Sequence, residues 1–270
     1  RLVDVLSSTW NLKTENIDDN IDGAVIVHFA GLPVDLSNPG WKKRPRVIIE
    51  DAAHALGAIT PYGPVGNCAQ SDLCCFSFHP VKSITTAEGG MVTTNSEVFA
   101  QRLIEFRSHG IVRNNQIGEW YYQISNLGFN LRLTDVAAAL GLSQMNRLEE
   151  FILSRNKIAD RYRSMLDGAE VKLPPAAPDG FRHSYHLFPV LVANRNEVFA
   201  SMRSKGIGVQ VHYIPIHHHP ISKDTGSTKD DLPVCNAIYD EILSLPIWPG
   251  VERYQNEIVE KLLQTISECK

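Results

Sequence analysis

The sequence predicts an α/β protein: a parallel sheet with helices packed on it, followed by a smaller α/β lobe. Three observations predict it. Short unbroken apolar runs recur in the first part of the chain, as in strands buried on both faces. An apolar-periodic helical pattern far longer than an ordinary helix then crosses the middle. Alternating strand and helix patterns resume after it.

Taken in order, "GAVIVHF" (23–29), "RVIIE" (46–50), "LCCFSFH" (73–79) and "GGMVTTN" (89–95) are strands, separated by turn signals such as "SNPG", "PYGP" and "EGG". "SEVFAQRLIEFRSHG" (96–110) is a helix with Ser96 as its cap, Val98, Leu103 and Phe106 near helical spacing, and Gly110 as its stop. Thr134 and Asp135 cap the long pattern, along which Met145, Leu148, Ile152, Ala159, Tyr162 and Leu166 keep one apolar stripe. Its length predicts a bend or break inside it, and it reads as a strut between two lobes. "GAEVKLPPAAPDG" (168–180) is Pro/Gly punctuation. Beyond it "HLFPVLV" (186–192) is a strand, "NEVFASMRSKG" a helix, and "IGVQVHYIPI" (207–216) a strand with period-two alternation. "VCNAIYDEIL" and "ERYQNEIVEKLLQTI" are helices around "SLPIW". The expected division is a larger part over 1–150 and a smaller one over 151–270.

The composition is that of a soluble globular protein: 270 residues, 43% hydrophobic and 21% charged, with a net charge of −4. Nothing is basic enough to attract nucleic acid or an anionic membrane surface, and no apolar run approaches the ~20 residues of a membrane helix. The five cysteines are odd in number and have no C-x-x-C spacing, so reduced thiols and a cytoplasmic setting are expected rather than a disulfide or zinc framework. The chain opens without a signal-peptide pattern, without Met and in mid-pattern, which leads us to expect a further N-terminal part.

Ligands in open α/β sheets bind at the carboxyl ends of parallel strands. Asp51 ends "VIIE", Ser77, His79 and Lys82 follow "CCFSF", and His28 ends "AVIV". Three neighbouring strands would thus bring Asp, His, Ser and Lys to one rim. A lysine desolvated at a strand end becomes a usable amine nucleophile. A nearby carboxylate can keep a ring nitrogen protonated, a serine can bind phosphate, and Ala52 and Ala53 let a flat ring come close; pyridoxal 5′-phosphate (PLP) uses this set. Each residue also has a plainer reading: a strand-end Asp caps turns, and a lone Lys is a solvated surface group. "HHH" (217–219) invites a metal reading, but adjacent histidines on an extended chain point in opposite directions, so no metal site is expected and only His217 is kept as a substrate-side residue.

The stretches "EDAAHALGA", "FSFHPVK", "TTAEGGMVTTN", "RSHGI" and "LGFNLRLTDVAAALGLSQMNRLEEF" together closely resemble the DegT/DnrJ/StrS family of PLP-dependent nucleotide-sugar aminotransferases. "VHFAG", "WYYQISNLGFN" and "GIGVQVHYIPIH" look like its members in pseudaminic acid biosynthesis. The resemblance runs from about residue 24 to the end of the chain. It implies the fold-type-I (aspartate aminotransferase-like) architecture, with a mixed, mostly parallel sheet in part of the large domain and a smaller C-terminal α/β domain, and a homodimer with shared sites. By position, it makes Lys82 the lysine that carries PLP and later shuttles the proton. Asp51 becomes the partner of the pyridinium nitrogen, Ala53 a neighbour of the ring, and His54 a contact near the phenolic oxygen. Ser77 binds the phosphate, and Asn130 reaches the phosphate of the partner subunit's cofactor. His79 is placed near the sugar, with a structural histidine as the equal alternative. His212 and Tyr213 resemble substrate contacts, and Tyr121, with Trp120 and Tyr122, either covers the nucleotide or packs at an interface. The implied reaction moves an amino group from glutamate to C4 of a UDP-linked 4-keto-6-deoxy-N-acetylhexosamine; the alternatives are another keto-sugar nucleotide or a non-catalytic PLP-binding homologue. Related dehydratases carry His where Lys82 stands, so the lysine favours transamination. Two departures stand out. The family's N-terminal phosphate loop and stacking aromatic are not in this sequence, so the chain as it stands is expected to bind PLP poorly. Pro220 is followed by the polar "ISKDTGSTKDD" instead of an aromatic pair.

Overall fold

The computed structural model describes residues 1–17, 20–37, 40–41, 43–225 and 231–269. Its central sheet has four strands. β1 (Gly23–Val27) and β2 (Val47–Asp51) run parallel. A short hairpin, β3 (Ile59–Thr60) and β4 (Gly63–Pro64), precedes β5 (Leu73–Ser77), which lies parallel to β2. β6 (Gly90–Thr93) closes the order β1-β2-β5-β6 antiparallel to β5. The sheet is thus mixed and mostly parallel, each strand falling within two residues of its apolar run.

The pairing register sets the rim. Val27, Asp51 and Cys75 stand in one row, so the chain after β1, β2 and β5 leaves the sheet side by side. Burial alternates along β2: Ile48 and Glu50 lie inside, whereas Val47, Ile49 and Asp51 are only partly covered. Val25 and Val27 on β1 are 62% and 44% exposed, so the expectation of strands buried on both faces holds for one face only among the described residues.

Helix α1 (Glu97–Arg107) follows, its first turn capped by Ser96 Oγ accepting the Phe99 N–H. The chain then turns at His109 and Gly110, both at positive φ, into the hairpin β7 (Ile111–Arg113) and β8 (Tyr122–Ile124). The long helical pattern divides as its length requires. Helix α2 (Asp135–Met145) starts on the Thr134 cap, and α3 (Leu148–Met165) begins after a break at Asn146 and Arg147. The single stripe divides too: Met145 is exposed, Leu148 half-buried, and Ile152 to Leu166 lie in the core. The first turns of α3 lean on Gly57, where a Cβ would collide with Ile152. From Ile158 onward α3 joins the C-terminal core, where Tyr162 and Phe188 pack with ring centroids 5.1 Å apart.

That C-terminal core is built from β9 (Phe188–Leu191), α4 (Arg195–Ser204), β10 (Ile242–Leu245) and α6 (Gln255–Glu268), while α5 (Pro233–Glu241) lies outside it and sets Ile238 against Trp10, Leu191 and Ile242. Two expectations change here. The strand expected over 207–216 makes only one bridge, between Gln210 and Ser244; period-two alternation shows a half-buried extended segment but supplies no ladder. The helix expected through Leu243 stops at Glu241, because Ile242–Leu245 are needed as the antiparallel partner of β9 and are buried all round. Of "ISKDTGSTKDD", residues 226–230 lie outside the described residues. Among the described residues no helix is long and apolar enough to cross a membrane.

Candidate active site

Lys82 sits five residues past the end of β5 in a tight loop: its N–H donates to His79 O (3.0 Å), and Thr86 N–H closes the loop onto Phe78 O (3.0 Å). Gln144 of α2 braces the same loop by accepting the Thr85 N–H at 2.9 Å. The ammonium is half-buried, and no ion pair to it is formed among the described residues. Desolvation lowers its pKa, and the negative charge of Asp51 works against that fall. Asp51 also fills the plainer role, since its Oδ1 accepts the Ala53 N–H at 3.1 Å in an Asx turn. The plainer reading of Asp51 as a turn cap is thus realised, and its charge is also felt at Lys82.

His54 enters from the loop after β2. Its Nε2 meets the Tyr213 hydroxyl at 3.2 Å, and the two rings lie 27° apart in tilt with centroids separated by 5.8 Å. Burial, with the nearby charges of Lys82 and His212, pulls its pKa down to about 3, so the ring is neutral at pH 7. His212 Nδ1 pairs with Ser244 Oγ at 2.9 Å, and burial next to Lys82 lowers its pKa as well. Lys82, Asp51, His54, His212 and Tyr213 are thus drawn together from β2, the β5 loop and the segment before α5.

The other sequence candidates fall differently. His28 is fully buried: its Nδ1 accepts the Val34 N–H at 3.0 Å, and its Nε2 lies 2.7 Å from Glu50 Oε2, which is itself bonded through Oε1 to Ser71. With both ring nitrogens engaged inside the fold, His28 is a structural group and its assignment to the substrate rim is withdrawn. Ser77 ends β5 partly covered, with His79 N–H directed at its Oγ (3.4 Å). His79 is exposed, its Nδ1 accepting the Val81 N–H and its Nε2 3.9 Å from Glu88. Asn130 is exposed in a bridge with Ser108, and Tyr121 packs edge-on against Trp120. His217 and His218 both place Nε2 on Asn236 Oδ1, at 2.9 and 2.7 Å.

Sequence reasoning missed the segment 182–186. His186 lies behind His54 with centroids 4.5 Å apart, and Ser184 Oγ donates to His54 O at 2.7 Å. The buried Arg155 of α3 donates Nη1 to Tyr185 O (3.0 Å), Ile247 O (3.0 Å) and, at 3.4 Å, His186 O. Two histidines three apart in "RHSYHLF" were the available signal, but the apolar run beginning at His186 hid it.

The donor set fits PLP. It offers a desolvated amine, a carboxylate whose charge reaches it, a strand-end hydroxyl, and a buried imidazole Nδ1 on His54 with no partner among the described residues. A model of the DegT/DnrJ/EryC1/StrS aminotransferase family matches residues 1–263.

The chain belongs to that family. Members are PLP-dependent sugar aminotransferases, and this chain is one. It is 35% identical to the UDP-4-amino-4,6-dideoxy-N-acetyl-beta-L-altrosamine transaminase of Campylobacter jejuni over 93% of this chain and 67% of that one. It is 30% identical to the GDP-perosamine synthase of Escherichia coli O157:H7 over 88% of this chain and 68% of that one. The Helicobacter pylori aminotransferase PseC, involved in pseudaminic acid biosynthesis, superposes with a TM-score of 0.87 over 99% of this chain and 74% of that chain, at 24% identity. That likeness establishes the fold, fold type I.

Proposed function

We propose that this aminotransferase moves an amino group from glutamate to C4 of a UDP-linked 4-keto-6-deoxy-N-acetylhexosamine. The observation that carries the chemistry is Lys82, half-buried and without an ion pair among the described residues, feeling the charge of Asp51 beyond the carboxyl ends of adjacent parallel strands. Bound PLP supplies the electron sink for amino transfer. Lys82 would hold it covalently and afterwards move the proton at Nζ, and desolvation, which lowers the amine's pKa, favours that role. Asp51 would keep the pyridine nitrogen protonated, Ala53 would let the ring approach the backbone, and Ser77 would receive the phosphate. Neutral His54, whose Nε2 meets the Tyr213 hydroxyl, would offer Nδ1 to the phenolic oxygen.

The sugar reading rests on the similarity to the altrosamine transaminase; the GDP-perosamine synthase is a relative too, which keeps another keto-sugar nucleotide as the second reading. His79, His212, Tyr213, His217 and Tyr121 are the proposed substrate-side residues. Residues 1–150 form the cofactor-holding part and 151–270 the smaller one, in a cytoplasmic homodimer. The dimer is supported by the apolar surface between β6 and the start of α3, where Leu127 and Val136 are each 83% exposed and Leu142 70%. Asn130, exposed between Leu127 and Val136 in the chain, is the residue proposed to reach the phosphate of the partner subunit's cofactor.

The test is an assay with glutamate and a panel of UDP- and GDP-linked 3-keto and 4-keto sugars, with the new amine located by NMR. Amination at C4 of the UDP-N-acetylhexosamine is expected; preference for a GDP sugar or for C3 would replace this substrate by the second reading.

A further inference from the structure

The histidine behind His54 has no place in the reaction described above. His186 is 5% exposed, and its ring meets that of His54 at 4.5 Å with a 44° tilt. Its Nδ1 makes no hydrogen bond among the described residues. Burial, and the charges of His54, Lys82, Arg155 and His212 around it, hold its pKa far below the ordinary imidazole value, so the ring is neutral and acts by its shape. Its backbone is fixed from two sides. Arg155, a buried cation with no carboxylate partner among the described residues, grips Tyr185 O and His186 O from α3, and Ser184 ties the same segment to His54 O and Gly31 O. Leu187 N–H completes the anchorage on Ala30 O. A guanidinium spent on carbonyl oxygens is costly to bury and makes sense where a segment must not shift. The result is a rigid wall against one side of the His54 ring, with Tyr213 on its edge.

We propose that His186 is a positioning residue for the aminotransferase reaction: its ring, pinned through its backbone by Arg155 and Ser184, sets the plane of the His54 ring and keeps His54 Nε2 on the Tyr213 hydroxyl. This rests on the cofactor reading above only in its effect on catalysis; the geometry it claims does not need the cofactor.

Two measurements on the full-length protein test it. Crystal structures of wild type and H186A should show the His54 ring turned into the vacated space and its bond to Tyr213 lost. Dissociation constants for PLP should rise about tenfold in H186A, the size of coupling between packed neighbours, and stay within about twofold of wild type in H186F, which keeps a flat ring. The double variant H54A/H186A should bind PLP as H54A does, because His186 acts through His54. A His54 ring that keeps its plane in H186A overturns the proposal. So does an unchanged PLP constant in H186A, a loss in H186F equal to that in H186A, or the same loss from H186A in the H54A background, which is the behaviour of a merely structural residue. If H186A does not fold, H186L, which lacks a flat ring at similar volume, takes its place. A wild-type protein that takes up no PLP contradicts the cofactor reading instead, and the crystal structures then decide the positioning alone.

Discussion

Glu50 and Asp51 are neighbours on β2 and meet opposite fates. Strand alternation sends Glu50 to the buried face, where it accepts from Ser71 and meets His28, and leaves Asp51 at the open rim beside Lys82. The desolvation that penalises the Glu50 carboxylate is outweighed by those partners, so its pKa is lowered rather than raised. Removing them should be costly: Glu50→Ala, which orphans His28 Nε2 in the core, is expected to lower unfolding stability by about 1–3 kcal/mol in urea melts. Asp51→Asn should leave those melts close to wild type yet weaken the protein's hold on PLP, because its contribution is charge rather than packing. That Lys82, Asp51 and His54 come near one another was legible from the sequence, because each stands within a few residues of an apolar run that names its strand end. His28 stood at the same kind of position and was misjudged: nothing in the sequence shows that Val34 N–H and Glu50 occupy both its nitrogens.

Local chemistry decided where most elements begin and stop. The caps at Ser96 and Thr134 were readable because each hydroxyl accepts an N–H three residues on. Thr134→Ala should therefore cost about 1 kcal/mol of stability in urea denaturation, with α2 the first helix to lose amide-exchange protection. Gly110 illustrates a harder constraint. It sits at φ +70°, and a Cβ there would collide with the Asn126 carbonyl, so Gly110→Ala is expected to destabilise by more than about 1 kcal/mol in the same measurement. The elements that sequence reading missed are those set by distant partners. Whether Ile242–Leu245 continues α5 or pairs with β9 depends on Phe188–Leu191, which are more than fifty residues away. The extended segment 207–216 fails to become a strand because only Gln210 finds a ladder partner.

At the scale of the whole molecule, three neutral imidazoles lie in or against the core. His54 and His183 have pKa values pulled down to about 3, both chiefly by burial, and His186 lies lower still. The unfolded chain's imidazoles, near 6.5, take up protons that the folded ones refuse. Stability is therefore fully present above about pH 6.5 and is lost as pH falls toward 3, by about 1.4 kcal/mol per pH unit for each such group in that interval. Thermal melting should show a flat transition temperature from pH 7 to 8 and a fall below pH 6; an unchanged value at pH 5 would contradict the buried neutral assignments. The strands of the sheet and the break between α2 and α3 could be read from apolar pattern; the antiparallel placing of β6 could not, nor could the convergence of residues 54, 82, 155, 186 and 213, since it arises only when α3 and the segment after it fold back on the strand ends.

The measurement that bears most directly on the central claim is the absorbance spectrum of the full-length protein with PLP, before and after glutamate. A band from the lysine-bound cofactor that glutamate converts to the amine form, and that Lys82→Ala abolishes while thermal melting stays intact, is the expected result. A wild-type protein with no such band, or a K82A variant that retains it, would contradict the assignment of Lys82 and with it the aminotransferase site described here.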